Sequence, residues 1–242
     1  MIQIIPAIDL MDGSCVRLKQ GQFENNKKYS KSPLEKAMEW ESKGFERLHI
    51  VDLDGAKYGS ASNIKIVEEI CRKTGMIVDY GGGVRTSEDI DKLFSIGISY
   101  LNIGSIAVIK PHLLRQWMDT YGPEKFILAA DVREENIAIN GWQKTTGMTI
   151  FELIETFIND GLKQVMCTDI SRDGMLKGIS TKLYRKLKRR YPKLNIIASG
   201  GVTSIDDIYG LEKEKVDGVI VGKALLEGVI KPEILNKFQL KK

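Results

Sequence analysis

Two histidines and three cysteines are all that the 242 residues hold of the side chains that most often bind transition metals or act as soft nucleophiles. His49, His112, Cys15, Cys71 and Cys167 fall at no spacing that makes a zinc knuckle, and three cysteines are an odd number for a disulfide framework, so neither metal nor disulfide is expected. Aromatic residues make up only 7% of the chain, and no stacking platform accompanies its densest basic run, Lys182 to Arg190. Leu183 and Leu187 mark the inner side of that run, which reads as a solvated helix face and excludes nucleic acid as the expected partner. No apolar run nears the ~20 residues of a membrane span. Met1 to Pro6 lacks the basic start and cleavage site of a signal peptide and reads as a strand; a cytoplasmic protein with no membrane partner is expected.

What is present is an ordinary soluble balance, 43% hydrophobic and 28% charged, with a net charge of +4 whose sign suits an anionic ligand. Apolar runs of strand length alternate with segments of helical period, the pattern of parallel βαβ units. Strands are expected at Gln3 to Ile8, Arg47 to Val51, Met76 to Val78, Tyr100 to Ile103, Phe126 to Ala130, Gln164 to Cys167, Asn195 to Ala198 and Gly218 to Val221. Helices are expected at Pro33 to Lys43, Ile64 to Lys73, Ser87 to Ser95, Pro111 to Tyr121, Ile150 to Asp160, Thr181 to Arg190 and Ser204 to Glu212. Eight such units predict an α/β fold, a single (β/α)8 TIM barrel with residues 1–242 as one domain; a doubly wound open sheet is the alternative.

An internal repeat sharpens this. Gly82 and Gly200, Asp89 and Asp207, and Gly104 and Gly222 are each 118 residues apart, and Asp52 and Asp169 are 117 apart. The chain reads as two similar half-barrels of about four units each.

In such barrels the active site is built from the loops after the strands. Each half carries a glycine pair after one strand and a glycine followed by a polar residue after the next: Gly82, Gly83, Gly104 and Ser105 in the first, Gly200, Gly201, Gly222 and Lys223 in the second, with Gly178 counted with the second. Glycines let backbone N–H groups approach an anion, and a following helix start adds the positive end of a dipole, so a phosphate is expected at each set, although tight turns alone also use glycine. Asp9 and Asp131, at the ends of the first and fifth strands, are candidates for an acid and a base acting between the two phosphates; either could instead cap a turn. Thr168 and Asp169 end the sixth strand, Asp52 and Asp54 the second, and any of these carboxylates could serve loop backbone instead. Trp142, beyond the hairpin-like stretch 137–140, could stack on a heterocycle or pack its own loop. Both histidines read as structural.

These stretches carry a resemblance. Ile5 to Leu10, Cys15 to Leu18, Leu48 to Ala56, Gly81 to Arg85, Asn140 to Trp142, Thr168 to Gly174 and Ser199 to Val202 together resemble the ProFAR isomerase family of histidine biosynthesis over the whole chain. The resemblance implies an Amadori rearrangement, aminoaldose to aminoketose, without metal or organic cofactor, on a small-molecule substrate carrying two phosphates. It implies Asp9 as general base at C2′, Asp131 as general acid at the ribose ring oxygen, Thr168 placing the substrate near the acid, and Arg17, Arg85, Trp142 and Asp169 as substrate contacts. A monomer is expected. Gln22, Ala130 and Ser105 depart from the family pattern without removing a proton carrier. The cyclase partner of the same pathway, a dual-substrate isomerase that also takes phosphoribosylanthranilate, and a non-catalytic phosphometabolite-binding barrel are the competing readings.

Overall fold

The computed structural model describes residues 1–19, 22–29, 32–139, 141–175 and 178–238. Gln20 and Gly21, whose neighbour Gln22 departs from the family pattern, and Asn140 of the tryptophan motif lie outside the described residues. In chain order the elements are β1 (Gln3–Met11), β2 (Ser14–Lys19), β3 (Gln22–Lys28), α1 (Pro33–Ser42), β4 (Arg47–Asp52), α2 (Leu53–Tyr58), α3 (Ile64–Lys73), β5 (Ile77–Gly81), α4 (Ser87–Ser95), β6 (Tyr100–Ile103), α5 (Ser105–Ile109) and α6 (Pro111–Tyr121). They continue with β7 (Phe126–Arg133), β8 (Asn136–Ile139), β9 (Lys144–Thr149), α7 (Ile150–Ile158), β10 (Gln164–Asp169), α8 (Thr181–Arg190), β11 (Asn195–Ser199), α9 (Ile205–Lys213), β12 (Gly218–Val221), α10 (Lys223–Leu226) and α11 (Pro232–Leu235).

The chain divides into two compact units, residues 4–101 with 221–242, and residues 1–3 with 102–220. In the first, β4 pairs in parallel with both β1 and β5, and β6 follows β5. In the second, β10 pairs in parallel with β7 and β11, and β12 follows β11. Eight parallel strands among the described residues, each followed by helix, place the chain in the (β/α)8 barrel class, built from two similar halves. Strands of this class are covered on both faces and so read as continuous apolar runs. In the first unit Ile8, Leu48, Ile50 and Val78 are fully buried, as are Val67, Ile70, Ile90 and Leu93 of α3 and α4. In the second, Leu128, Val165, Ile196 and Val219 are buried along with Ile154, Phe157, Leu187 and Ile208 of α7, α8 and α9. Each such side chain contributes about 1.5–3 kcal/mol.

Local signals set the helix starts. Ser32, Thr86, Thr149 and Ser204 each accept from the N3 amide while a carboxylate at N3, Glu35, Asp89, Glu152 or Asp207, accepts from the cap backbone. The last box corrects one expectation: Ser204 is the cap and the helix runs Ile205–Lys213. α1 stops at Ser42 and α7 at Ile158, one and two residues short of the expected ends, and the third parallel strand starts at Ile77. Six parallel strands run past their expected ends. β1 and β7 do so because antiparallel hairpins, β2–β3 and β8–β9, extend the sheet beyond them, pairing Asp9 with Val16 and Val132 with Ile137. Asp9 and Asp131 therefore lie two residues inside their strands, each beside a hairpin.

Candidate active site

The two hairpins hold the two carboxylates in different company. In the first unit Arg17 of β2 places Nη1 2.9 Å from Oδ2 of Asp9, and both side chains are largely buried. Met11, Val16, Leu18 and Leu53 form the apolar cluster under this hairpin. In the second unit Trp142 donates its indole N–H to Oδ2 of Asp131 over 2.8 Å. The Trp142 backbone stands at φ 71°, a left-handed conformation that costs a bulky residue about 1–3 kcal/mol and that the hairpin turn imposes. Thr168 lies beside Asp131 on the neighbouring strand, where parallel register pairs the two residues, and is buried.

The glycine-rich ends repeat between the halves down to their backbone. Gly82 and Gly83 have φ of 112° and 80°, Gly200 and Gly201 of 88° and 89°. A Cβ on Gly82 would collide with the carbonyl oxygen of Asp52, and one on Gly200 would stand 2.9 Å from that of Asp169, its repeat partner. Likewise Gly83 is overlaid by the backbone of Ser60 and Ala61, and Gly201 by the carbonyl of Gly178. Internal packing therefore already demands glycine at all four positions, before any ligand is considered.

The helices after these pairs are closed to an anion by their own residues. Asp89 accepts the N–H groups of Arg85 and Thr86 at the start of α4, and Asp207 those of Thr203, Ser204 and Ile179 at the start of α9. Donors at Thr203, Ile179 and Ser204 hold the Asp207 carboxyl below its usual range in spite of burial. α5 and α10 differ. Their N-caps, Gly104 and Gly222, share one conformation (φ −102°, ψ −96° and φ −94°, ψ −86°), and neither cap has a side-chain hydrogen bond. As glycines, these caps carry no side chain to take the first amides of α5 and α10.

Asp52 belongs to the scaffold. Fully buried, it accepts from the N–H groups of Gly55, Ser62 and Asn63, from the Asn63 amide and from the Tyr80 hydroxyl. Burial alone would raise its pKa, but the donors of Asn63, Gly55 and Ser62 hold it below the usual carboxylate range. Asp54 accepts from the Asp12 N–H and the Asn63 amide. Asp169 takes Ser171 on one oxygen and Arg172, at 3.4 Å, near the other. His49 pairs with Asp79, which also receives Arg47, in a buried structural cluster. Burial pushes the thiols of Cys15 and Cys71 up to about 11, so neither is a ready thiolate. Among the described residues no group of three potential ligands could hold a metal ion. Asn63 and Tyr80 escaped sequence reasoning; the available signal was the repeated aspartate they serve.

The sequence matches a known family along nearly the whole chain: the pattern described as histidine biosynthesis protein covers residues 3–231. This chain belongs to that family. Among its relatives, the 1-(5-phosphoribosyl)-5-((5-phosphoribosylamino)methylideneamino)imidazole-4-carboxamide isomerase of Bacteroides thetaiotaomicron is 48% identical over 238 residues, 98% of this chain and 100% of its own. The isomerases of the same name from Cytophaga hutchinsonii, 44% identical over 98% of this chain and 99% of its own, and Aeromonas salmonicida, 47% identical over 93% of each, are similar throughout as well.

Proposed function

We propose that this chain, an isomerase of histidine biosynthesis, carries out the aminoaldose-to-aminoketose rearrangement for which its relatives are named, with Asp9 as general base and Asp131 as general acid. The observation that carries the assignment is the different company of the two carboxylates. The Arg17 cation favours the ionised form of Asp9 that a base needs, and the Trp142 indole N–H fixes the orientation of the Asp131 carboxyl beside Thr168. In the reaction Asp131 delivers a proton to the ribose ring oxygen as the C1′–O bond breaks, Asp9 removes the C2′ proton, and the resulting enolamine gains a proton at C1′ while the C2′ hydroxyl gives one up to become the ketone. Protons and electrons balance within the substrate, so no metal or organic cofactor is required. Thr168, beside Asp131, orients the substrate at the acid, with Arg85 and Asp169 as further contacts.

The backbone donors of Gly82, Gly83, Gly178, Gly200 and Gly201 and the open helix starts at Gly104–Ser105 and Gly222–Lys223 are assigned to the two phosphates of the substrate. The repeat of the same device in each half supports two phosphates over one. The same reading takes the chain to be one domain and a cytoplasmic monomer that meets small molecules only. A single cooperative unfolding transition and a one-chain mass in solution are its checks.

Replacing the proton carriers tests the assignment. Asp9→Asn and Asp131→Asn should each lower kcat by about 10²–10⁴ while substrate still binds. A folded variant of either residue with kcat near wild type removes that residue from the mechanism. The dual-substrate alternative is checked in the same assay with phosphoribosylanthranilate.

A further inference from the structure

Arg85 follows the first glycine pair, and its backbone N–H is fixed by Asp89 at the start of α4. Its exposed side chain turns back to another loop, the one after β4, and lies over Gly59. Gly59 ends α2 in the left-handed conformation, φ 82° and ψ 22°, its N–H donating to the Gly55 carbonyl. A Cβ there would overlap the Arg85 guanidinium, falling 2.6 Å from Nη2 and nearer still to Cζ and Nη1. The negative end of the α2 dipole adds to the attraction for that cation. The two loops are already interlocked, since a Cβ on Gly55 would lie 2.9 Å from the Gly82 carbonyl oxygen and Gly83 is overlaid by Ser60 and Ala61. The seat therefore stands on a rigid base, and only the guanidinium has room to yield.

We propose that Gly59 is a positioning residue of the isomerase: its missing side chain forms the seat that holds the Arg85 guanidinium where the anionic substrate meets it. The inference rests on the assignment of Arg85 as a substrate contact. An added methyl group displaces the guanidinium without removing it, so the effect appears in binding and not in the proton-transfer steps.

Four variants test this: Gly59→Ala, Arg85→Ala, the double variant, and Gly228→Ala. Gly228 also has a left-handed φ, 69°, but a Cβ there meets nothing within 4 Å, so it reports backbone strain alone. Arg85→Ala should raise KM by about 10- to 100-fold, the loss of a charge-assisted contact. Gly59→Ala should raise KM by about three- to tenfold with kcat within about twofold of wild type, and should add nothing further in the Arg85→Ala background. Gly228→Ala should lower Tm slightly and leave KM unchanged. If Arg85→Ala leaves KM unchanged, the assignment of Arg85 fails and the inference with it. If Arg85→Ala raises KM but Gly59→Ala leaves it unchanged or lowers it, or if the Gly59→Ala effect persists without Arg85, the seat is refuted and Arg85 stands. A KM rise in Gly228→Ala equal to that of Gly59→Ala would assign the effect to strain and refute the seat as well.

Discussion

Replacing Asp52 by asparagine keeps the shape of the side chain and removes one of two acceptor oxygens. In the structure Oδ1 accepts from Gly55 N–H and the Asn63 amide, and Oδ2 from Ser62 N–H, Asn63 N–H and the Tyr80 hydroxyl. The less damaging orientation of an asparagine puts its NH2 in the place of Oδ1 and leaves two buried donors without an acceptor. Each costs about 1–3 kcal/mol, so a loss of about 4 kcal/mol is expected, and for a chain of this size that lowers Tm by about 8–16 °C. The acid dependence supplies a second readout. The folded-state pKa of Asp52 is depressed, so its contribution is present above the unfolded value near 3.8 and is lost as pH falls through the folded value. Thermal melts of wild type and Asp52→Asn should therefore differ widely at pH 7 and converge in strong acid. A fall in Tm under about 2 °C at pH 7, or a gap that stays constant down to the lowest pH at which the protein folds, would refute the account of Asp52 as the clamp of this loop.

Gly82→Ala and Gly201→Ala should cost stability as well as activity, because their Cβ atoms would meet the Asp52 and Gly178 carbonyls, whereas Gly222→Ala, whose nearest neighbour would be Arg17 at 3.5 Å, should fold normally and mainly raise KM; melts beside kinetics separate the two. A crystal soaked in sulfate should show an anion at Gly104–Ser105 and another at Gly222–Lys223; a single anion would reduce one of these helix starts to a plain turn. Trp142→Phe keeps an aromatic ring but removes the donor to Asp131, and kcat should fall by about tenfold or more; an unchanged kcat would leave the indole N–H without a catalytic part. Activity after exhaustive chelation should be complete, and its loss with recovery on one added metal would overturn the cofactor-free mechanism.

The alternation of apolar strands with amphipathic helices made the class and the two halves legible from the sequence, because strands covered on both faces and helices covered on one carry different periods. Tyr100–Ile103, Gly218–Val221, Ile64–Lys73, Ser87–Ser95, Pro111–Tyr121 and Thr181–Arg190 match expectation to the residue, each bounded by a cap, proline, glycine or charge that acts locally. Asp9, Asp131 and the glycine pairs stood out by the repeat, which is a property of sequence alone. Tertiary structure decided what each of them meets. That Asp9 faces a cation and Asp131 an indole depends on how two hairpins fold back on β1 and β7, a geometry fixed by turn type and loop length that residue spacing alone does not display. For Gly82 and Gly200 the sequence left phosphate binding and a tight turn side by side, because spacing cannot show the Asp52 and Asp169 carbonyls pressed against them. The dependence of Arg85 on Gly59 is of the same kind, a close approach between loops 26 positions apart that no local propensity records.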